Sequence, residues 1–232
     1  MSNINYSLYF ISQMVRNSFN NLKHYYNEIA PMIKSEKERI IENNKKLQED
    51  LKKASKEEQY QYYDYYADDW YMSKNVEISF CNSILVSIYT IIEKYFNIIC
   101  DELESEKSLP IKYTDLNGQG VTRAKMYLEK LAGITFDTKE SKFLSGINAV
   151  RNIIAHEDGE LYDISKLNLG KIKNITEQAK GIIIKEVEFY DETINTSQKI
   201  PSKIEIHLEF IEYCLEQGIL IFKSLISKIK ML

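Results

Sequence analysis

The chain has 232 residues, and its 30 basic and 34 acidic side chains give a formal net charge of −4. This balance argues against broad electrostatic binding of long nucleic acids, although it leaves room for a local basic cleft. With 8 glycines, 3 prolines and 44% hydrophobic residues, the composition favours a mostly helical protein with a sizeable core.

The first fifty residues predict long helices. Apolar residues recur every three or four positions from Ile4 to Ile29, which indicates an amphipathic helix. Pro31 is expected to kink this helix or to open a second one. Residues 32–54 are heavily charged with a narrow apolar seam, which is typical of a long exposed helix. Either a coiled-coil-like arm for dimer contact or a simply solvated helix fits this pattern.

An aromatic cluster follows at residues 60–71, where tyrosines and one tryptophan crowd together. Aromatic rings can stack on nucleic-acid bases, but such clusters more often form packing surface. The interleaved Asp64, Asp68 and Asp69 would repel phosphates, which favours packing. We expect residues 1–75 to form an N-terminal helical region that contacts a dimer mate or a partner, packed as one unit with a core of residues 76–232.

Residues 76–104 predict the central core helix, because apolar side chains cover most of its circumference. One stripe is polar, and a carboxylate in such surroundings needs a partner. Two interpretations stay open. The stripe is a solvated edge, or Glu93 and Thr90 face a polar cleft and orient Arg151 or His156. The stripe comprises Asn82, Tyr89, Thr90, Glu93 and Asn97.

The second half of the chain predicts shorter elements. A loop at 105–120 precedes a short helix at 121–131, and Asp137 or Thr138 can cap the next helix. A short helix is expected around 164–167. Residues 181–194 are β-rich in part and predict a small hairpin or an extended arm. Residues 196–201 predict a turn, and 202–230 a final amphipathic helix.

The most informative stretch runs from Arg151 to His156. Apolar residues upstream recur at helical spacing, which places this stretch on the last turns of a helix, and Gly159 suits the left-handed position just beyond. The helix dipole there favours a protonated imidazole, and histidine is the commonest general acid or base. Arg151 adds a forked, permanently charged anion binder. The pair predicts a place where a phosphate is held and a proton is moved.

The five-residue spacing of Arg151 and His156 restricts how both side chains can reach one site. Five helical positions rotate the side chain by roughly 500°, which leaves Arg151 and His156 about 140° apart. Both reach one cleft only if the helix ends or unwinds near His156, or if a second subunit completes the cleft.

Arg-Asn-x-x-x-His at the end of a core helix resembles the R-x4-6-H motif of the HEPN (higher eukaryotes and prokaryotes nucleotide-binding) superfamily. The resemblance extends over about residues 76–232. The segments "IYTIIEKYFNIIC", "DLNGQGVTRAKMYLEKLAG" and "GINAVRNIIAHEDGEL" are similar to the second helix, the connector with its short helix, and the motif helix. The implied fold is an all-α bundle that dimerises through the motif helices.

The resemblance also implies an activity. Many HEPN proteins are metal-independent endoribonucleases of toxin–antitoxin, abortive-infection and antiviral defence systems, in which the ribose 2′-OH attacks the neighbouring phosphate. By resemblance, His156 is the general acid or base, Arg151 stabilises the charged transition state and Asn152 orients its neighbours. Glu93 is a weaker carry-over, and no cofactor or metal is implied. Expected partners are the RNA substrate, a second copy of the chain and an antitoxin or defence protein.

Some residues depart from the family pattern. Related toxins often carry R-x4-H-x-Tyr, in which the tyrosine is modified, but position 158 is Asp here. Glu157 and Asp158 also add negative charge beside His156. The alternatives are therefore a non-catalytic HEPN module that binds a nucleotide or a protein, and a helical dimer in which Arg151 and His156 are purely structural.

The sequence also predicts a cytoplasmic location. Cys81, Cys100 and Cys214 lie in apolar stretches without metal-ligand spacing, as expected of reduced core cysteines. The N-terminus lacks the pattern of a signal peptide. The longest apolar stretch, 84–100, is interrupted by charges and is expected to be too short to cross a membrane.

Overall fold

A computed structural model describes residues 3–161, 169–191 and 196–231. The described chain is mostly helical with one small antiparallel sheet, which confirms the predicted fold class of a helical protein with a β-hairpin. The predicted short helix at 164–167 and the end of the predicted hairpin at 192–194 lie outside the described residues. The elements are α1 (Asn3–Leu51), α2 (Lys56–Lys107), a 3-10 turn (Tyr113–Asp115), α3 (Gly120–Lys130), α4 (Thr138–Glu157), α5 (Leu169–Thr176), β1 (Ile182–Asp191), β2 (Thr196–Ile206) and α6 (Leu208–Lys230).

Helices α1 and α2 pack against each other as a long helical hairpin. A capping box between Ser55 and Glu58 begins α2, so the helix predicted to start at residue 76 starts twenty residues earlier. The boundary predicted near residue 75 thus falls inside α2. The backbone of the aromatic cluster belongs to α2, but its side chains at 62–71 lie outside the described residues.

One alternative of each expectation for α1 was wrong. Pro31 does not open a new helix, because it lies on the exposed side of α1 while Ala30 and Ile33 hold both adjoining turns in the core. The charged half of α1 is not a simply solvated helix. Its apolar seam is buried within the chain, at Ile33, Ile40, Leu47 and Leu51.

The core forms where α2 meets α1 and α6. Phe96 of α2, Phe19 of α1 and Phe222 of α6 are buried, and the ring of Phe222 contacts both other rings. Gly218 permits the close approach of α6, because a Cβ there would lie 2.6 Å from the Phe19 ring. By length and composition alone, Lys74–Lys107 would suffice to cross a membrane. Core helices pass the same test, and the cytoplasmic location stays a prediction.

Helices α3 and α4 pack against α2, and α5 packs on α4. Of the two predicted caps, Asp137 begins α4, and it forms a capping box with Glu140. The ammonium of Lys228 donates to Glu140 at 2.8 Å, which joins the start of α4 to the end of α6. Helix α5 packs on α4 at Gly146, where a Cβ would lie 2.6 Å from the Cβ of Ile175.

Strands β1 and β2 pair from Ile182–Ile206 to Asp191–Thr196, with a bulge after Lys185. The predicted turn at 196–201 is therefore wrong, since these residues belong to β2, and the last helix begins at Leu208 rather than at 202. The segment follows the period of a strand rather than that of a helix, because Ile204 and Ile206, two positions apart, both point into the core. Pro201 is tolerated because it lies beside the bulge.

Candidate functional site at the end of helix α4

The motif residues lie where the sequence predicted, on the last turns of α4. The helix remains regular through Glu157, so it does not unwind before His156. It ends directly afterwards, where Asp158 (φ 49°) and Gly159 (φ 84°) both adopt left-handed conformations. The predicted glycine terminator is thus confirmed, but an aspartate takes the first left-handed position.

The segment that leaves α4 is fixed to the sheet. The backbone N–H of Ile204 donates to the carbonyl of Gly159 at 2.8 Å, and the N–H of Leu161 donates to Ser202 at 2.8 Å. A Cβ at position 159 would lie 2.7 Å from the Ile204 carbonyl oxygen, so only glycine fits this approach. The hairpin therefore holds the end of α4, and with it His156, in one position.

Arg151 is half-buried and held on two sides. Its guanidinium carbon lies 4.9 Å from the centre of the Tyr89 ring, which is a cation–π distance. Its Nη1 donates to the side-chain oxygen of Asn152 at 2.9 Å. Its Nε is buried and has no hydrogen-bond partner among the described residues. One face of the guanidinium is thus packed on a ring, and its buried Nε lacks a partner in the described part of the chain.

The contact with Asn152 bears on how Arg151 and His156, about 140° apart on the helix, can reach one surface. Asn152 lies four positions before His156, so both side chains occupy the same face of α4. The guanidinium of Arg151 bends round the helix towards that face by bonding to Asn152. His156 itself is exposed, and within the described part of the chain it makes no hydrogen bond or ion pair. The structure joins Arg151 to Asn152 directly and leaves His156 open to solvent.

The predicted supporting residues behave differently from one another. The hydroxyl of Thr90 donates to the Val86 carbonyl of its own helix at 2.9 Å, so it is occupied there. The carboxylate of Glu93 lies against the first turn of α3, since a Cβ on Gly120 would lie 2.9 Å from Glu93 Oε1. A negative charge at a helix N-terminus is favourable. Among the described residues, no ion pair joins Glu93 to Arg151.

The residue that contacts Arg151 from α2 is instead Tyr89, which is buried. Burial raises the pKa of Tyr89, and Glu93 adds to this rise, whereas the nearby backbone of Val121 and the charge of Arg151 oppose it. Tyr89 belongs to the polar stripe that the sequence revealed, one turn before Glu93. Its position was therefore visible in the sequence, but its role as the platform for Arg151 was not.

Further polar groups lie between α2 and α3, away from the end of α4. Arg123 of α3 lies over the ring of Tyr113 at 5.4 Å. Besides Arg151 Nε, three buried polar atoms have no hydrogen-bond partner in the described chain: Arg123 Nε, Asn97 Oδ1 and the Tyr127 hydroxyl. Burial, with Glu104 adding to it, raises the pKa of Tyr127 to about 12. The α2–α3 interface thus contains several buried polar groups beside its apolar residues.

No protein-family model, curated protein or solved structure matches the chain. The resemblance to HEPN proteins therefore rests on the residues quoted above. Within the described residues, no group of three or more His, Cys, Asp or Glu side chains is placed to hold a metal ion.

Proposed function

We propose that the end of α4 is the active site of a metal-independent endoribonuclease of the HEPN type. The observation that supports this most directly is the bond from Arg151 Nη1 to Asn152 at 2.9 Å, one helical turn before the exposed His156. A fixed cation and a titratable imidazole thereby approach the same solvent-facing surface of α4. This surface is accessible to a polymer, as cleavage within an RNA chain requires.

In this proposal His156 takes the proton from a ribose 2′-OH as general base. The 2′ oxygen then forms a bond to the adjacent phosphorus while the bond from phosphorus to the 5′ oxygen breaks. The leaving 5′ oxygen takes a proton from the imidazolium of a second copy or from water. The products are a 2′,3′-cyclic phosphate and a 5′-OH end.

Arg151 neutralises the extra charge on the phosphate oxygens in the transition state. Its contact with Tyr89 and its bond to Asn152 hold it in place beforehand, so little ordering remains to be done when RNA binds. Asn152 is therefore a positioning residue, and Tyr89 is a second one.

The acidic neighbours of His156 are partly balanced. Lys203 hydrogen-bonds to Glu160 at 2.7 Å, and this bond, followed by the charges of Glu160, Asp158 and Glu205, raises its pKa. Lys203 therefore offsets some of the negative charge beside the site. We further propose that two copies dimerise through their α4 helices and that the enzyme acts as a toxin or defence effector, as the family resemblance implies.

A cleavage assay tests the proposal. Purified protein is incubated with end-labelled RNA in the presence of a chelator, and the product ends are identified by their sensitivity to phosphatase and kinase. The proposal predicts 2′,3′-cyclic phosphate ends, no cleavage of the matching DNA and no cleavage by His156→Ala. His24→Ala is the matched control, because His24 is also an exposed helical histidine. RNA left intact by the wild-type protein, or cut equally by His156→Ala, would refute the proposal.

The alternative is a non-catalytic HEPN module that binds a nucleotide or a protein. The half-burial of Arg151 against Tyr89 favours instead the purely structural alternative, because such a contact also serves structure alone. The structural alternative predicts that Arg151→Ala chiefly lowers the melting temperature, and both alternatives predict that the wild-type protein never produces cyclic-phosphate ends.

A further inference from the structure

A second polar site lies at the base of the β1–β2 hairpin, where α1, α2, β1, β2 and the start of α6 converge. These elements enclose a cavity of about 310 Å³. Apart from Ile183, its lining residues all carry a charged or titratable group on their side chains. The charged and titratable lining residues are Lys37, Lys74, Glu77, Lys185, Glu205 and His207.

Two buried carboxylates bind the basic side chains of the site. Glu77 and Glu205 expose only 4% and 5% of their surface. Glu77 accepts from Lys37 at 2.9 Å and contacts His207 Nδ1 at 3.1 Å. Burial by itself would raise the pKa of Glu77, but the hydrogen bonds from His207 and Lys37 outweigh it and lower the pKa to about 2.

Glu205 binds two further ammonium groups, Lys74 at 2.8 Å and Lys185 at 3.6 Å. The three lysine side chains are half-exposed, at 47%, 39% and 48% for Lys37, Lys74 and Lys185. The buried carboxylates therefore hold three ammonium groups at the rim of the cavity, where solvent reaches them.

The charges of the described lining residues do not balance. Three ammonium groups face two carboxylates, which leaves one positive charge in excess. Each ammonium has three donors, whereas each of these lysines makes only one ion pair to the two carboxylates. Within the described part of the chain, donors and positive charge thus remain for a further acceptor.

If these ion pairs served only to join the β1–β2 hairpin to the helices, we would expect their side chains to pack closely, as side chains in protein interiors do. Here the same groups surround an open space, and its volume reaches the lower end of the range typical of small-molecule sites. Lysine is a common point-charge ligand of phosphate.

We propose that this cavity binds a small phosphate-bearing anion. Lys37, Lys74 and Lys185 contact the phosphate oxygens, Glu77 and Glu205 position these lysines, and Ile183 packs against the non-phosphate part of the molecule. The site is separate from the end of α4 and does not depend on the proposed cleavage activity.

Calorimetric titration with inorganic pyrophosphate at constant ionic strength tests the proposal on the whole chain. We expect saturable binding of one pyrophosphate per chain. Lys185→Gln and Lys37→Gln should each weaken the affinity about tenfold, the loss expected for one charge-assisted hydrogen bond. Lys185→Gln is the milder change, because Glu205 keeps Lys74 as its partner.

Two controls separate the outcomes. Lys46→Gln removes an exposed lysine of α1 outside the cavity and should leave the affinity within about twofold of wild type. Arg151→Ala should bind pyrophosphate normally if the hairpin cavity is the site. Absence of saturable binding, equal weakening by Lys46→Gln, or loss of binding in Arg151→Ala would each overturn the proposal. Circular dichroism and melting curves confirm that each variant is folded.

Discussion

The two polar regions of this protein place their charges in opposite ways. At the end of α4, Arg151 and His156 come from one short stretch, and His156 is exposed without a protein partner in the described structure. At the base of the β1–β2 hairpin, His207 is partly buried and contacts the buried Glu77, 130 positions away in the chain. A histidine left free at a helix end suits proton transfer to a bound molecule. One bonded to a buried carboxylate stabilises the fold and positions neighbouring groups.

The sharpest test of this contrast replaces each of the two histidines by alanine in turn. His156→Ala should lower the rate of RNA cleavage about 100-fold or more, because it removes the proposed general base, while the free energy of unfolding stays unchanged. His207→Ala should do the reverse, lowering the free energy of unfolding by about 1–3 kcal/mol because Glu77 loses a partner. Cleavage per folded molecule should then be unaffected. Rates and chemical denaturation are measured on the same preparations, and a cleavage defect in folded His207→Ala would break the contrast.

The buried carboxylate of Glu77 should make stability depend on pH. Its pKa lies at about 2 in the folded chain, below the ordinary value of 4.5. Glu77 therefore stabilises the fold above about pH 4.5, and this contribution, about 3 kcal/mol, is lost as the pH falls towards 2. Denaturation from pH 7 to pH 3 should show a shallower loss of stability in Glu77→Gln than in wild type. Glu42→Gln, an exposed change on α1, should follow the wild-type curve.

The platform under Arg151 should have a smaller effect. Tyr89→Leu removes the ring that Arg151 contacts at 4.9 Å, and cleavage should fall about threefold to tenfold, in line with a cation–π contact of about 1 kcal/mol. Tyr89→Phe keeps the ring and should stay within about twofold. If the leucine and phenylalanine variants cleave equally, the ring does not position Arg151. Melting temperatures of both variants separate positioning from a general loss of stability.

These two regions also differ in how far the sequence could predict them. The end of α4 was predictable because its determinants are local: the capping box at Asp137, the apolar spacing and the glycine at 159 all lie on one helix. Tyr89 was only half predictable. Helical spacing placed it on the polar stripe, but which stripe residue meets Arg151 depends on how α2 and α4 cross.

The hairpin cavity could not be predicted, because Lys37, Glu77, Lys185 and Glu205 come from four separate elements and His207 is the residue that precedes α6. The errors in secondary structure have a similar origin. Pro31 and the 196–201 segment look like breaks locally, yet tertiary packing keeps α1 continuous and pairs Thr196–Ile206 with β1. Local patterns thus identify a helix end, whereas long-range contacts decide what covers a helix and where a strand replaces a turn.

The central claim is that Arg151 and His156 form one catalytic site. A double-mutant cycle on the rate of RNA cleavage in the presence of a chelator tests it most directly, using wild type, Arg151→Ala, His156→Ala and the double variant. If the two residues act as a unit, the double variant should cleave no more slowly than the slower single variant. Losses that multiply in the double variant, or a single variant that retains the wild-type rate, would contradict the claim.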